Sequence, residues 1–300
     1  MEVGLTERLD SFVKSHSNRQ LAAIPLALFL VSIIILGITF ASTGSPVQLG
    51  MEFKGGTLVS VATTQSAESL EDQFSSYPII DARETGSRVV MQFGPMSNEE
   101  QSQLTREVTS AYTGVEIKQI GPVYGASLQK QAVTAVLLSF IGMAAVVFLI
   151  FKTLVPSGAV VFSAMSDILI AAAFMNVAGI ELSLGTVAAL LMIIGYSVDS
   201  DILLTTRVLK RRGTVHDNIS NAMKTGITMT TTTLAALFVM YMVSTYSYLV
   251  IPSFSQITLL SSISIVLIFG LIADMINTWL LNTSILRWYV TDSGKRGRKA

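Results

Sequence analysis

The chain has 300 residues, of which 51% are apolar and only 13% charged, with 20 basic and 20 acidic side chains in balance. A soluble protein normally carries about a quarter of its residues as charges, and the mean hydropathy of +0.59 agrees that this is an integral membrane protein. The zero net charge gives no footing for a nucleic-acid partner. Cysteine is absent, which excludes disulfides and thiolate-bound metals. His16 and His216 lie far apart in polar stretches and read as solvated side chains, so no metal site is expected.

Residues 1–20 are polar and basic, with Arg8, Lys14 and Arg19. The apolar run 21–40 is long enough for a first membrane helix, since ~20 residues at ~1.5 Å each cross a ~30 Å core. It exceeds a usual signal-peptide core, and Ala41-Ser42-Thr43-Gly44-Ser45 is only weakly cleavage-like, so a retained span is expected. Pro25 falls in its first turns, where a missing N–H is tolerated. Residues 41–130 change character. Thr57, Val59 and Val61 alternate with Leu58 and Ser60, which predicts a strand over 56–63. Ser66 is the N-cap of a predicted helix 66–76. Strands are predicted at 79–82 and 88–93 with Gly86-Ser87 turning between them, a second helix from Ser97, and a last strand at 115–120. The order βαββαβ is the split, ferredoxin-like plan, so 41–130 is expected to be one small α+β domain.

Five more apolar segments follow within 131–286, at about 131–151, 156–177, 184–204, 225–246 and 257–282. The tail 287–300 is basic, with Arg287, Lys295, Arg296, Arg298 and Lys299. Lysine and arginine set the orientation. With the N-terminus in the cytoplasm, Lys152, Arg207, Lys210, Arg211, Arg212 and Lys224 all fall in or beside inner loops. The short outer loops near 178–183 and 247–256 contain neither residue. Both termini are therefore expected inside and 41–130 outside. Its own Lys54, Arg83, Arg88, Arg106, Lys118 and Lys130 do not oppose this, because large domains cross regardless of charge.

Ionisable side chains inside hydrocarbon cost roughly 2.5–3.5 kcal/mol on insertion scales and are functional candidates by default. Asp199 and Asp201 lie near the inner end of the fourth span. Two residues apart, they point about 200° from each other on a helix and cannot form a paired site within it. Asp199 is one turn from Gly195, where another helix could approach closely, and is expected to be the deeper of the two. Asp201 is expected nearer the basic loop, pairing with Arg207 or Lys210, or simply at a helix end close to water. Asp167, with Ser163 and Ser166 before it, is mid-helix in the third span. Asp274, three residues before Asn277, is mid-helix in the sixth. Both are expected to face the bundle, as ion-coupling groups or as hydrogen bonds between helices. Thr225, Thr228 and Thr232 share one face of the fifth span, a place for tight interhelical packing or for a polar path. No nucleophile stands beside a histidine base, Gly55-Gly56 and Gly121-Pro122 read as turns, and no phosphate-binding loop is present. Neither catalysis nor a cofactor is expected.

Three places resemble the SecF branch of the SecD/SecF family of the RND superfamily. Gly50-Met51-Glu52-Phe53-Lys54-Gly55-Gly56-Thr57 is similar to that family's G-x-x-F-x-G-G-T, and Ile120-Gly121-Pro122-Val123-Tyr124-Gly125 to its V-G-P-x-x-G. Gly195-Tyr196-Ser197-Val198-Asp199-Ser200-Asp201 is similar to its G-Y-S-x-N-D-T, with Arg207 in the place of a D-R-I-R arginine. The bacterial Asn-Asp pair is here Asp199-Ser200, and an arginine early in the bacterial fifth span is replaced near Lys224 and Thr225, a pattern closer to archaeal members. The resemblance implies six membrane helices of RND type with an outer domain. It also implies a SecD-like partner, association with the Sec channel and the translocating polypeptide amid membrane lipids, and a pull on that polypeptide coupled to cation flow across the cytoplasmic membrane. Asp199 is then the first coupling candidate, with Asp201, Arg207, Asp167 and Asp274 supporting it. Two alternatives are a non-catalytic scaffold for SecD and the channel, and half of an RND-type small-molecule or lipid exporter.

Overall fold

The structure, a computed structural model, describes residues 2–85, 87–250 and 257–297. Gly86 of the expected turn, residues 251–256 of the second outer loop, and Arg298 and Lys299 of the tail lie outside the described residues.

Helix α1 (Glu2–Ser15) lies at the basic end of the molecule, with Val13 fully buried and Leu9 and Phe12 packed beside it. Ser17 then starts α2 (Asn18–Thr43) with a reciprocal capping box to Gln20. The helix thus begins three residues earlier than expected, and Pro25 is well inside it. There its ring removes the bond to the Leu21 carbonyl instead of sparing one of the free N–H groups of the first turn. Gly44 closes the helix at a left-handed φ of 76°.

A short helix α3 (Met51–Lys54) leads into the α+β domain. Its elements are β1 (Gly56–Ala62), α4 (Ala67–Gln73), β2 (Ile79–Thr85), β3 (Arg88–Phe93), α5 (Asn98–Ala111) and β4 (Glu116–Ile120). The sheet is antiparallel in the order β2-β3-β1-β4, the ferredoxin-like arrangement expected from the sequence. Val59 and Val61 of β1 and Val89, Met91 and Phe93 of β3 pack against Leu70, Phe74, Leu104 and Val108 of the two helices. Ser66 and Ser97 cap those helices as expected. At α5 the box is reciprocal: the Ser97 backbone N–H and hydroxyl donate to Glu100 at 2.8 and 2.9 Å, holding that carboxyl below its usual range. Ser97→Ala should cost the domain about 1 kcal/mol, read as a lower unfolding midpoint in detergent.

The bundle follows. Helix α6 (Pro122–Phe151) starts at Pro122, so the second span begins nine residues before the expected 131. It continues through α7 (Leu154–Val177), α8 (Leu184–Lys210), α9 (Val215–Val250) and α10 (Thr258–Ile276). A six-residue π-helical turn (Asn277–Asn282) joins α10 to α11 (Thr283–Gly297), so the expected basic tail is helical through Gly297. Among the described residues, six helices are long and apolar enough to span a membrane. In their most apolar windows α7 and α8 are 67% and 56% buried against 6% for α6, which puts α7 and α8 at the centre. Val13, Leu21, Val208, Ile219 and Leu286 share one cluster, so α1, the 211–214 loop and α11 gather at the end away from the domain.

The domain is fastened to the other end. The Asn176 amide donates to the Thr39 hydroxyl and the Pro46 carbonyl, each at 2.9 Å, and accepts from Gln48 N at 3.1 Å. Gly50 N donates to Leu182 O at 2.8 Å and Leu182 N to Gln48 O at 2.7 Å, making a parallel bridge of Leu49 with Leu182. Gln129 of α6 donates to Phe53 O at 2.8 Å. The sheet face turned away from α4 and α5 bounds a cleft of about 490 Å³ against this end of the bundle.

Candidate functional site

Asp167 of α7, Asp201 of α8 and Asp274 of α10 are 0%, 0% and 1% exposed, and the residues of the π turn connect them. Asn277 donates to Asp167 at 2.6 Å and to Ser166 at 3.0 Å. Thr278 contacts Oδ1 of both Asp201 and Asp274 at 2.9 Å. Asn282 donates to the same Asp201 oxygen at 2.7 Å. Asn277 and Asn282, five apart, would point about 140° from each other on an α-helix. The wider turn, with its i→i+5 bonds, narrows that separation. The turn thus serves three carboxyls on three helices from one side of one segment.

The three sites are not equivalent. Ser197 donates to Asp167 Oδ2 at 2.5 Å while Asn277 holds Oδ1, so both of its oxygens are bonded. Asp201 and Asp274 each leave Oδ2 without a hydrogen-bond partner, and the side-chain oxygens of Asn277 and Asn282 are also unpaired. The buried Ser163 hydroxyl lies beside Asp201, and the Ser200 hydroxyl beside Asp274. Thr278 has one hydroxyl hydrogen for two carboxyl oxygens. With both carboxyls ionised, one of those contacts would set lone pair against lone pair; with one proton on the pair, both are hydrogen bonds. Buried oxygens without donors are costly, about 1–3 kcal/mol each.

Asp167 and Asp274 face the bundle interior, as the sequence suggested. The expected depths of Asp199 and Asp201 are reversed: Asp199 is exposed and Asp201 fully buried. The buried stripe of α8 runs Ile193, Ser197, Asp201, Leu204, Val208, and Asp199 falls on the opposite side. It does share a face with Gly195, but that face is open: a Cβ on Gly195 would meet nothing within 4 Å. Asp201 pairs with neither Arg207 nor Lys210. Arg207 donates instead to the Asn221 carbonyl and, at 2.9 Å, to the Thr225 hydroxyl, and Lys210 reaches Ile150 O. Thr225 is half-buried, and Thr228 and Thr232 are exposed. The hydroxyls of Thr228 and Thr232 turn back to carbonyls of their own helix, so neither makes a hydrogen bond to another described helix. Thr278, Asn282 and Ser197 were not singled out in the sequence. Three polar residues, Asn277, Thr278 and Asn282, inside one apolar run were the available signal.

Residues 100–292 match the model of the family described as protein export membrane protein SecD/SecF, C-terminal. The chain is 47% identical over 283 residues to the protein-export membrane protein SecF of Methanolacinia petrolearia, covering 94% of this chain and 98% of that one. It is 44% identical to the SecF of Haloferax volcanii, covering 91% and 93%. The crystal structure of SecDF, described as a translocon-associated membrane protein from Thermus thermophilus, has the same fold at a TM-score of 0.68 and 20% identity. That match covers 91% of this chain but 38% of the longer one. With relatives matched over almost their whole length and the six-helix fold in common, the chain belongs to the SecF family of protein-export membrane proteins.

Proposed function

We propose that the chain is the subunit of a protein-export complex that converts cation flow into movement of the polypeptide on the outer side, with Asp201 and Asp274 as the ion-handling pair. One observation carries the reading: Thr278 offers a single hydrogen to two buried carboxyl oxygens, one on Asp201 and one on Asp274. Gaining or losing one cation there changes which helices the hydroxyl links, and so how α8 and α10 pack. Asp167, bonded at both oxygens, is the brace of the cluster, which is the role the scaffold reading gave to all of the carboxyls. Arg207 ties α8 to α9 and stands outside the pair.

The chain lies in the cytoplasmic membrane with α1 and α11 inside and the α+β domain outside, as the basic loops favour. A SecD-like partner lies on the open face of α8, where Met192, Gly195, Tyr196 and Asp199 point outward. An acidic group facing lipid at that depth costs roughly 2.5–3.5 kcal/mol, and a covering membrane helix removes that cost. Asp199 becomes a contact with the partner, and the exposed Thr228 and Thr232 belong to the same uncovered side chains. The channel and the emerging polypeptide meet the domain end. The cleft there is lined by Glu52, Arg83, Arg88, Glu116, Lys118 and Glu181 among others, with no aromatic residue among the described ones, which disfavours a lipophile-exporting half.

The test is Asp201→Asn in vesicles holding the chain, its SecD-like partner and the channel. Export should lose its dependence on an imposed proton or sodium gradient while the complex still assembles. Wild-type gradient dependence in the assembled variant would remove Asp201 from the mechanism.

A further inference from the structure

The π turn supplies every donor from α10 and α11 to the acidic cluster, yet a π turn is rare and is kept only where its surroundings hold it. Trp279 sits within it, between Thr278 and Leu280, and is 1% exposed. It belongs to the apolar cluster formed by Leu204 of α8 and Met223 and Ile227 of α9. Its six-membered ring occupies the space that a side chain on Gly226 of α9 would need: a Cβ there would stand 2.3 Å from Cζ2 and 2.8 Å from Cη2. Arg207 anchors α8 to the same stretch of α9, at Asn221 and Thr225. Residues 221–226 of α9 are therefore a common reference for the helix carrying Asp201 and for the turn carrying Thr278 and Asn282.

The geometry points to Trp279, seated on Gly226, as the positioning residue that sets the π turn against Asp201 and Asp274. The indole is rigid and enclosed, so it transmits the position of α9 to the next residue, Thr278. Gly226 is the side chain-free site that lets it close. The inference rests on the reading of Asp201 and Asp274 as the ion-handling pair.

The experiment uses the assembled complex in vesicles and reads export against external pH with and without an imposed gradient. Gly226→Ala should abolish the gradient-dependent part of export. Adding Trp279→Phe, which removes the ring atoms in conflict, should restore it. Unchanged gradient dependence in Gly226→Ala, or an assembled double variant as impaired as the single one, would overturn the inference. Should Gly226→Ala fail to assemble, Trp279→Phe alone decides: a shifted pH profile supports the positioning role, and a wild-type profile overturns it. Asp201→Asn run in parallel separates the two ideas. If it keeps gradient dependence, the ion-handling reading fails; if it loses that dependence while Gly226→Ala keeps it, only the role of Trp279 fails.

Discussion

Gly56→Ala should unfold the α+β domain while leaving the membrane helices folded. Gly56 has φ +138°, a conformation that side chains resist, and a Cβ there would stand 2.3 Å from the Phe93 carbonyl oxygen. That oxygen is backbone and cannot swing aside. Phe93 is paired with Thr57, the next residue of β1, so the conflict falls at the head of the β1–β3 ladder. A strained backbone costs of order 1–3 kcal/mol, and displacing a central strand adds to it, for a loss of roughly 3–5 kcal/mol. That approaches the whole stability of a small domain, about 5 kcal/mol at the low end. Limited proteolysis of intact vesicles should cut the variant within 45–121 and leave the spans protected; a wild-type cleavage rate would refute this.

Asp167→Ala should destabilise the bundle far more than Asp167→Asn. Alanine leaves the Ser197 hydroxyl and one N–H of the Asn277 amide as buried donors without acceptors, while the other N–H keeps Ser166. At about 1–3 kcal/mol each, the cost is roughly 2–6 kcal/mol. Asparagine keeps one acceptor oxygen and the shape, so it should lose a smaller part of this and preserve gradient dependence. Thermal unfolding of the complex in detergent measures the first effect and vesicle export the second. Loss of gradient dependence in a stable Asp167→Asn would move Asp167 from brace to ion-handling group.

The α+β domain was legible in the sequence because its signals are local. Alternation in β1, serine caps at 66 and 97, and turn residues between short runs each act within a few residues, and together they fix one topology. The spans were equally plain, since apolar length is the signal. Their ends were not, because helices here run on past the apolar run: α6 starts at Pro122, and α11 continues through the basic segment to Gly297. The acidic cluster was half legible. Rare carboxyls marked Asp167, Asp201 and Asp274, but only the packing of α8 decides which side is inward. Gly195 suggested a close approach at Asp199, and none of the described helices makes it. The π turn had no periodic signature at all, since an α-helical wheel places Asn282 away from Asn277 and hides their common direction.

The bridge of Leu49 with Leu182 lies immediately before Ser183, whose side chain caps α8. Helix α8 is then a stiff rod about 40 Å long, pinned to the folded domain at its upper end and carrying Asp201 in its lower half. A rod held that way cannot slide without dragging its pin. A tilt of a few degrees about the lower end would swing the upper end by roughly 3 Å, and the domain with it, so under the proposed function a change too small to open a gap in the bundle becomes a stroke on the exported polypeptide.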